Sequence, residues 1–123
     1  MTRRQATATG ALGAFDANSP GCAPAHLRAA PTDKGVVLHS PTLGIATIDA
    51  YGSIKTPEGV RLGMSSADML RIYPTWQAAD GDATNGRGFV KAPGNNKAVY
   101  RIETANGTVE ALTLQYANQD CYE

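Results

Sequence analysis

Few residues in this chain could do chemistry. His26 and His39 are the only histidines, and Cys22 and Cys121 the only cysteines. A zinc site draws three or four ligands together at short spacings, and two separated histidines with cysteines near opposite ends of the chain make no such motif. His39 stands beside Ser40, but no Gly-x-Ser-x-Gly elbow surrounds the serine, and neighbours in a strand point to opposite faces, so no Ser/His nucleophile is expected. The run Asp80-Gly81-Asp82-Ala83-Thr84-Asn85-Gly86 has the look of a calcium loop. Counted from Asp80, its sixth position is Asn85 and its twelfth Lys91, where an EF-hand needs Gly and Glu, so a polar surface loop is expected instead. Gly86-Arg87-Gly88 lacks the third glycine of a dinucleotide site, and no Walker sequence is present. The expectation is a protein that is not an enzyme, with no catalytic residues, no cofactor and no metal.

The two cysteines bracket almost the whole sequence. An isolated even pair suggests one disulfide, Cys22 to Cys121, which requires an oxidising compartment. The alternative is two free thiols in a reducing one. In the loop-entropy model, closing about 100 residues stabilises a fold by roughly 4–5 kcal/mol. Residues 1–15 carry Arg3 and Arg4 but only Leu12 and Phe15 as large apolar residues, which does not make a signal peptide. The expected location is secreted or extracytoplasmic and bacterial, with the leader absent from this chain. Ser19-Pro20-Gly21-Cys22 departs too far from a lipoprotein cleavage box for lipidation to be expected.

Composition narrows the partners. Eleven basic residues balance eleven acidic ones, and the pI is near 6.7, so no field steers phosphate and no nucleic-acid partner is expected. No apolar run approaches the roughly 18 residues of a membrane span. Leu, Ile, Val and Phe together number only 21 of 123 residues, which makes for a small core of one domain. Residues 1–20, rich in Ala, Thr and Gly, read as a flexible tail, and residues 21–123 as a single α+β domain.

The elements that would position any site follow from periodicity. Val36-Val37-Leu38 and the alternating residues 43–50 read as strands. Thr56-Pro57-Glu58-Gly59 has the order of a type I turn. Ser65 is placed to cap a helix, with Asp68 reaching back as in a capping box and Met64 stapling onto Met69. Met69, Ile72 and Tyr73 form its apolar stripe and Pro74 stops it. Trp76 reads as a lid on the core. Residues 79–88 read as loop, Phe89 to Ala92 as a short strand, and the last two strands as a hairpin around Asn106-Gly107. A two-residue turn would set Glu103 against Glu110, so a three-residue loop, pairing Thr104 with Thr108 and Tyr100 with Leu112, is expected. The fold class expected is a short helix packed on an antiparallel sheet: a three-stranded C-terminal meander after a β-rich N-terminal half.

Gly59 to Leu70 (GVRLGMSSADML), followed by Val99 to Leu114 (VYRIETANGTVEALTL), resembles the small domain shared by bacterial outer-membrane assembly lipoproteins of the BamE (SmpA/OmlA) type and the repeats of β-lactamase inhibitory protein. The matching positions are Gly63, Met64 and Ser65 at the helix start and Asn106-Gly107 at the last hairpin. The likeness covers about half the chain, and Val36 to Ala50 departs from it by reading as strand where the family has a helix. The resemblance implies a binding or assembly protein, inhibitor-like or assembly-factor-like, and it carries over no catalytic residues. A small secreted enzyme or a small-ligand carrier is the alternative. If the helix covers the Tyr100 face, the opposite face leaves Phe89, Val99, Arg101, Glu103, Val109 and Thr113 as the expected protein-binding strip. The sequence names neither that partner protein nor an oligomeric state.

Overall fold

A computed structural model describes residues 1–16, 19, 21–31 and 34–122. The chain runs through α1 (Arg3–Ala8), β1 (Ala23–His26), β2 (Val36–Ser40), β3 (Gly44–Asp49), α2 (Ser66–Ile72), β4 (Gln77–Gly81), β5 (Gly86–Lys91), β6 (Ala98–Ala105) and β7 (Thr108–Tyr116). All seven strands join one antiparallel sheet in the order β1-β2-β3-β7-β6-β5-β4. This corrects the α+β expectation. Among the described residues the two helices are six and seven residues long, and the fold is β-rich. The halves fuse because β3 pairs with β7 through Thr47↔Gln115, Ile48↔Leu114 and Asp49↔Thr113, a long-range pairing on which local periodicity is silent.

Of the stretch read as a tail, residues 2–16 form a helix and an extended segment. Thr2 caps α1 in a reciprocal box with Gln5, and Ala6 is buried. Residues 11–16 then run beside β1, with Gly13 N–H donating to His26 O at 2.9 Å and Arg28 N–H to Ala11 O at 2.9 Å. They cover the outer edge of β1, which would otherwise offer unpaired backbone groups.

Ser65 caps α2 as expected. Its Oγ accepts from Asp68 N–H at 3.1 Å, while the Asp68 carboxylate turns to Arg71 instead of back to the cap. Met69 is fully buried, and the Tyr73 ring stacks on Tyr100 with centroids 5.7 Å apart. The Tyr73 hydroxyl donates to Glu58 and lies 2.8 Å from Thr56 Oγ1. Burial, seconded by the Glu58 carboxylate, pushes this phenol far above the usual tyrosine range, so it stays neutral. Ser65→Ala is expected to lower stability by about 1 kcal/mol, because one helical N–H loses its acceptor. A denaturant midpoint unchanged within error would show that the cap carries no weight.

The final hairpin corrects the three-residue loop. Ala105 pairs with Thr108 across a two-residue turn in which Asn106 and Gly107 have φ of 51° and 76°, the left-handed pair that suits this turn to the sheet's twist. A bulge then absorbs one residue: Thr104 faces Val109 and Glu103 faces Ala111, so Glu110 is the extra one. The bulge removes the Glu103/Glu110 clash and resets which face each side chain takes. Tyr100 meets Leu114, and Ile102 meets Leu112.

Residues 79–88 correct a further expectation, since they lie mostly in the β4–β5 hairpin. Gly88 sits beneath Trp76, where a Cβ would fall 2.6 Å from two ring atoms. Its glycine marks close packing, although in sequence it reads as looseness. β4 is the open edge of the sheet. Every residue of it is exposed, and a register shift between Ala78 and Asp80 breaks its outline, which discourages edge-to-edge pairing.

Candidate functional site: an apolar trough across the sheet

One register row crosses six strands. Ala25, Val37, Ile48, Leu114, Tyr100 and Val90 stand side by side on β1, β2, β3, β7, β6 and β5. Each end of the row is covered. Val37 packs with Ala6 and Leu12 under α1, and Tyr100 and Val90 pack with Val60, Met69, Tyr73 and Trp76 under α2 and its neighbouring loops. The centre is open: Ile48 is 36% exposed and Leu114 39%. Ile48 and Leu114 stand directly opposite each other, and with Ile54 nearby they make an exposed apolar patch instead of scattered single residues.

The opening is a trough between two small cores. On one side of Ile48 and Leu114 lies a cavity of about 230 Å³ that Leu27, Ile54, Pro57 and Leu112 help to line. On the other side a smaller cavity, about 140 Å³, is bordered by Ile45, Ala98 and Tyr116. Ile54, in the loop after β3, is 42% exposed and adds to the apolar rim. Polar groups near the trough are sparse, Asp49 and Lys55 being the charged residues at the larger cavity. Such a surface can take up apolar groups.

The strip expected from sequence lies on the opposite face. Phe89, Arg101 and Thr113 are in register across β5, β6 and β7, with Glu103 and Val99 beside them on β6. Val109 does not join them. The bulge at Glu110 carries it to the other face, where it is 2% exposed within the core. The remaining strip is neither flat nor open. Thr113 is buried, with its hydroxyl donating to Asp49 Oδ1 at 2.7 Å, and the Arg101 side chain is only 16% exposed. Arg101 is 3.6 Å from Glu103 and lies against the ring of Tyr122.

The other candidates resolve into structure. His26 is exposed and its Nδ1 is 3.2 Å from Lys34 O. His39 is buried, edge-on to Phe15, with Nε2 2.9 Å from Met1 O. Ser40 Oγ accepts from the N–H groups of Thr42 and Leu43, both at 3.1 Å, and so closes the β2–β3 turn. The Asp82 carboxylate accepts from Asn85 and Thr84 N–H at 2.9 Å each, and these bonds hold it below the ordinary carboxylate range. That is a turn motif built from the chain's own amides. Trp76 is buried as a lid.

Cys22 and Cys121 are joined by a disulfide. With Asp120 they form the one grouping of candidate metal ligands among the described residues, but the two sulfurs are bonded to each other and supply no thiolate. Among the described residues no helix is long and apolar enough to cross a membrane.

Sequence reasoning missed Ile48 and Ile54 and put Leu114 in a covered face. The available signal was alternation within β7, which placed Leu114 correctly beside Tyr100 and Leu112. Its exposure depends on β3 as a neighbour and on where the helices stop, and neither is a local property. Comparison with protein-family models, with curated protein sequences and with solved structures gave no match.

Proposed function

We propose that this is a non-enzymatic protein-binding domain, inhibitor-like or assembly-factor-like, which works outside the cytoplasm and takes an apolar segment of its partner into the Ile48/Leu114 trough. The observation that carries this reading is the directly paired, exposed Ile48 and Leu114 at the centre of the sheet. The disulfide fits an oxidising compartment, and secretion is the finer form of the proposal. The likeness of Gly63-Met64-Ser65 and Asn106-Gly107 to the BamE and β-lactamase inhibitory protein domains points to the same class of function.

Leu114→Asp is the direct test. The position is exposed enough for the fold to tolerate a carboxylate, while a charge on the trough floor opposes burial of an apolar group. Wild-type protein, Leu114→Asp and Arg101→Gln are immobilised in parallel and offered the supernatant of bacteria that produce the protein. The expected result is a partner held by wild type and Arg101→Gln, with affinity for Leu114→Asp lower by more than about tenfold, or 1.4 kcal/mol. A partner lost by a folded Arg101→Gln and kept by Leu114→Asp would move the site to the outer face and overturn the trough.

A further inference from the structure

Residues 117–122 fold back over the outer face of the sheet. Ala117 N–H donates to Lys97 O at 2.9 Å and Gln119 N–H to Tyr116 O at 3.1 Å, which turns the chain off the end of β7. The Gln119 side chain then gathers the strap. Its Oε1 accepts from the N–H groups of Cys121 at 2.9 Å and Tyr122 at 3.1 Å, and its amide nitrogen donates to Tyr122 O. The Tyr122 hydroxyl donates to Gln115 Oε1 at 2.8 Å, and the Arg101 guanidinium carbon lies 5.0 Å from the ring centroid. Below this strap Thr113 and Gln115 are buried, and Arg101 is largely so.

The strap contributes to neither apolar cluster. Among the described residues it is held, apart from its covalent bond, by a few hydrogen bonds and one cation–π contact. Such contacts are individually weak in water, and they must offset the entropy of ordering the segment. What holds the strap down is the bond between Cys121 and Cys22, a residue anchored just before β1. Both cysteines are half-buried, within reach of a soluble thiol.

We infer that the Cys22–Cys121 disulfide is a latch: closed, it holds residues 117–122 over Arg101, Thr113 and Gln115, and its reduction by a dithiol frees the strap and uncovers that strip while the sheet stays folded. A thiolate of the dithiol attacks one sulfur, a mixed disulfide forms, and the other cysteine leaves as a thiolate that takes up a proton. The second thiol of the reductant then displaces the remaining cysteine. Two electrons and two protons pass to the chain, and the dithiol ends as its own cyclic disulfide. The gate stands on the geometry of the strap and does not depend on whether the trough binds anything.

The test is the sequential release of Glu123 and then Tyr122 by carboxypeptidase Y from this 123-residue chain, oxidised or reduced with dithiothreitol, with far-UV circular dichroism and Trp76 fluorescence recorded on the same samples. Reduction is expected to speed tyrosine release by about tenfold or more, since cleavage follows the population of the open strap, while both spectra keep their native form. The Cys22→Ser/Cys121→Ser protein should match the reduced sample without any reductant. Oxidised Tyr122→Ala, read by modification of Arg101 with phenylglyoxal, should react faster than oxidised wild type. Release at the same rate in both redox states would show that polar contacts alone hold the strap. Loss of the native spectra on reduction would show a structural staple. Either result overturns the latch.

Discussion

Replacing Cys22 and Cys121 together by serine is expected to lower the stability of the domain by about 2–4 kcal/mol, among the largest effects any exposed or half-buried pair in this chain can have. The two residues are 99 apart in sequence, so the bond denies the unfolded chain nearly all of its end-to-end freedom. The loop-entropy ceiling for such a loop is about 4–5 kcal/mol. The measured loss should fall short of that ceiling, because the folded protein also gains freedom when its strap is released. Two features of a urea titration carry the test. The midpoint should fall, and the slope should rise, because an unfolded chain without the cross-link exposes more surface. A midpoint equal to that of the oxidised wild type would mean that the bond contributes nothing to the fold. Intact mass after alkylation without reductant provides the companion check, and two alkylated thiols in the folded wild type would remove its premise.

Local signals in this chain were legible, and signals that needed a distant neighbour were not. The Ser65 cap, the Pro74 stop and the buried stripe of Met69 and Tyr73 are written within ten residues, and the helix lies where they place it. Alternation in β6 and β7 likewise identified Tyr100, Ile102 and Leu112 as one buried face. Val109 broke that pattern because a bulge at Glu110 changes face parity without changing composition. The turn residues Asn106 and Gly107 in fact keep their preferred two-residue geometry at the cost of that bulge. Strand β4 could not be recognised by alternation, since all five of its residues are exposed. The candidate site was the least legible part. Ile48 and Leu114 are ordinary strand residues until β3 and β7 are known to be neighbours, and a trough exists only because α1 and α2 each cover one end of the row. Of the six strip residues, five share the outer face and Val109 does not, and Tyr122 as the cover was invisible, because nothing local says where residues 117–122 fold back.

Gly88→Ala is expected to destabilise the protein on the order of 3 kcal/mol, at the upper end of overpacking effects, through the addition of a single methyl group. The backbone at Gly88 is not in the left-handed region, so the cost is one of space. An added Cβ would lie 2.3 Å from Gln77 O and 2.6 Å from both Cε2 and Cζ2 of Trp76. The nearest of these atoms is backbone in the paired strand β4, where Ala78 faces Gly88 across the ladder, so it cannot move aside as the end of a flexible side chain would. Either the edge strand separates or the indole is expelled from its place over the core that also holds Met69, Tyr73 and Val90. Trp76 is the only tryptophan, so its emission reports the outcome without ambiguity. A shift to longer wavelength together with a lower thermal midpoint is expected. Gly21→Ala is the control, since a Cβ there meets nothing within 4 Å and should change stability by less than about 0.5 kcal/mol. If Gly88→Ala matches that control in both midpoint and emission, Trp76 is not seated on Gly88, and the close packing that explains the glycine in β5 is wrong.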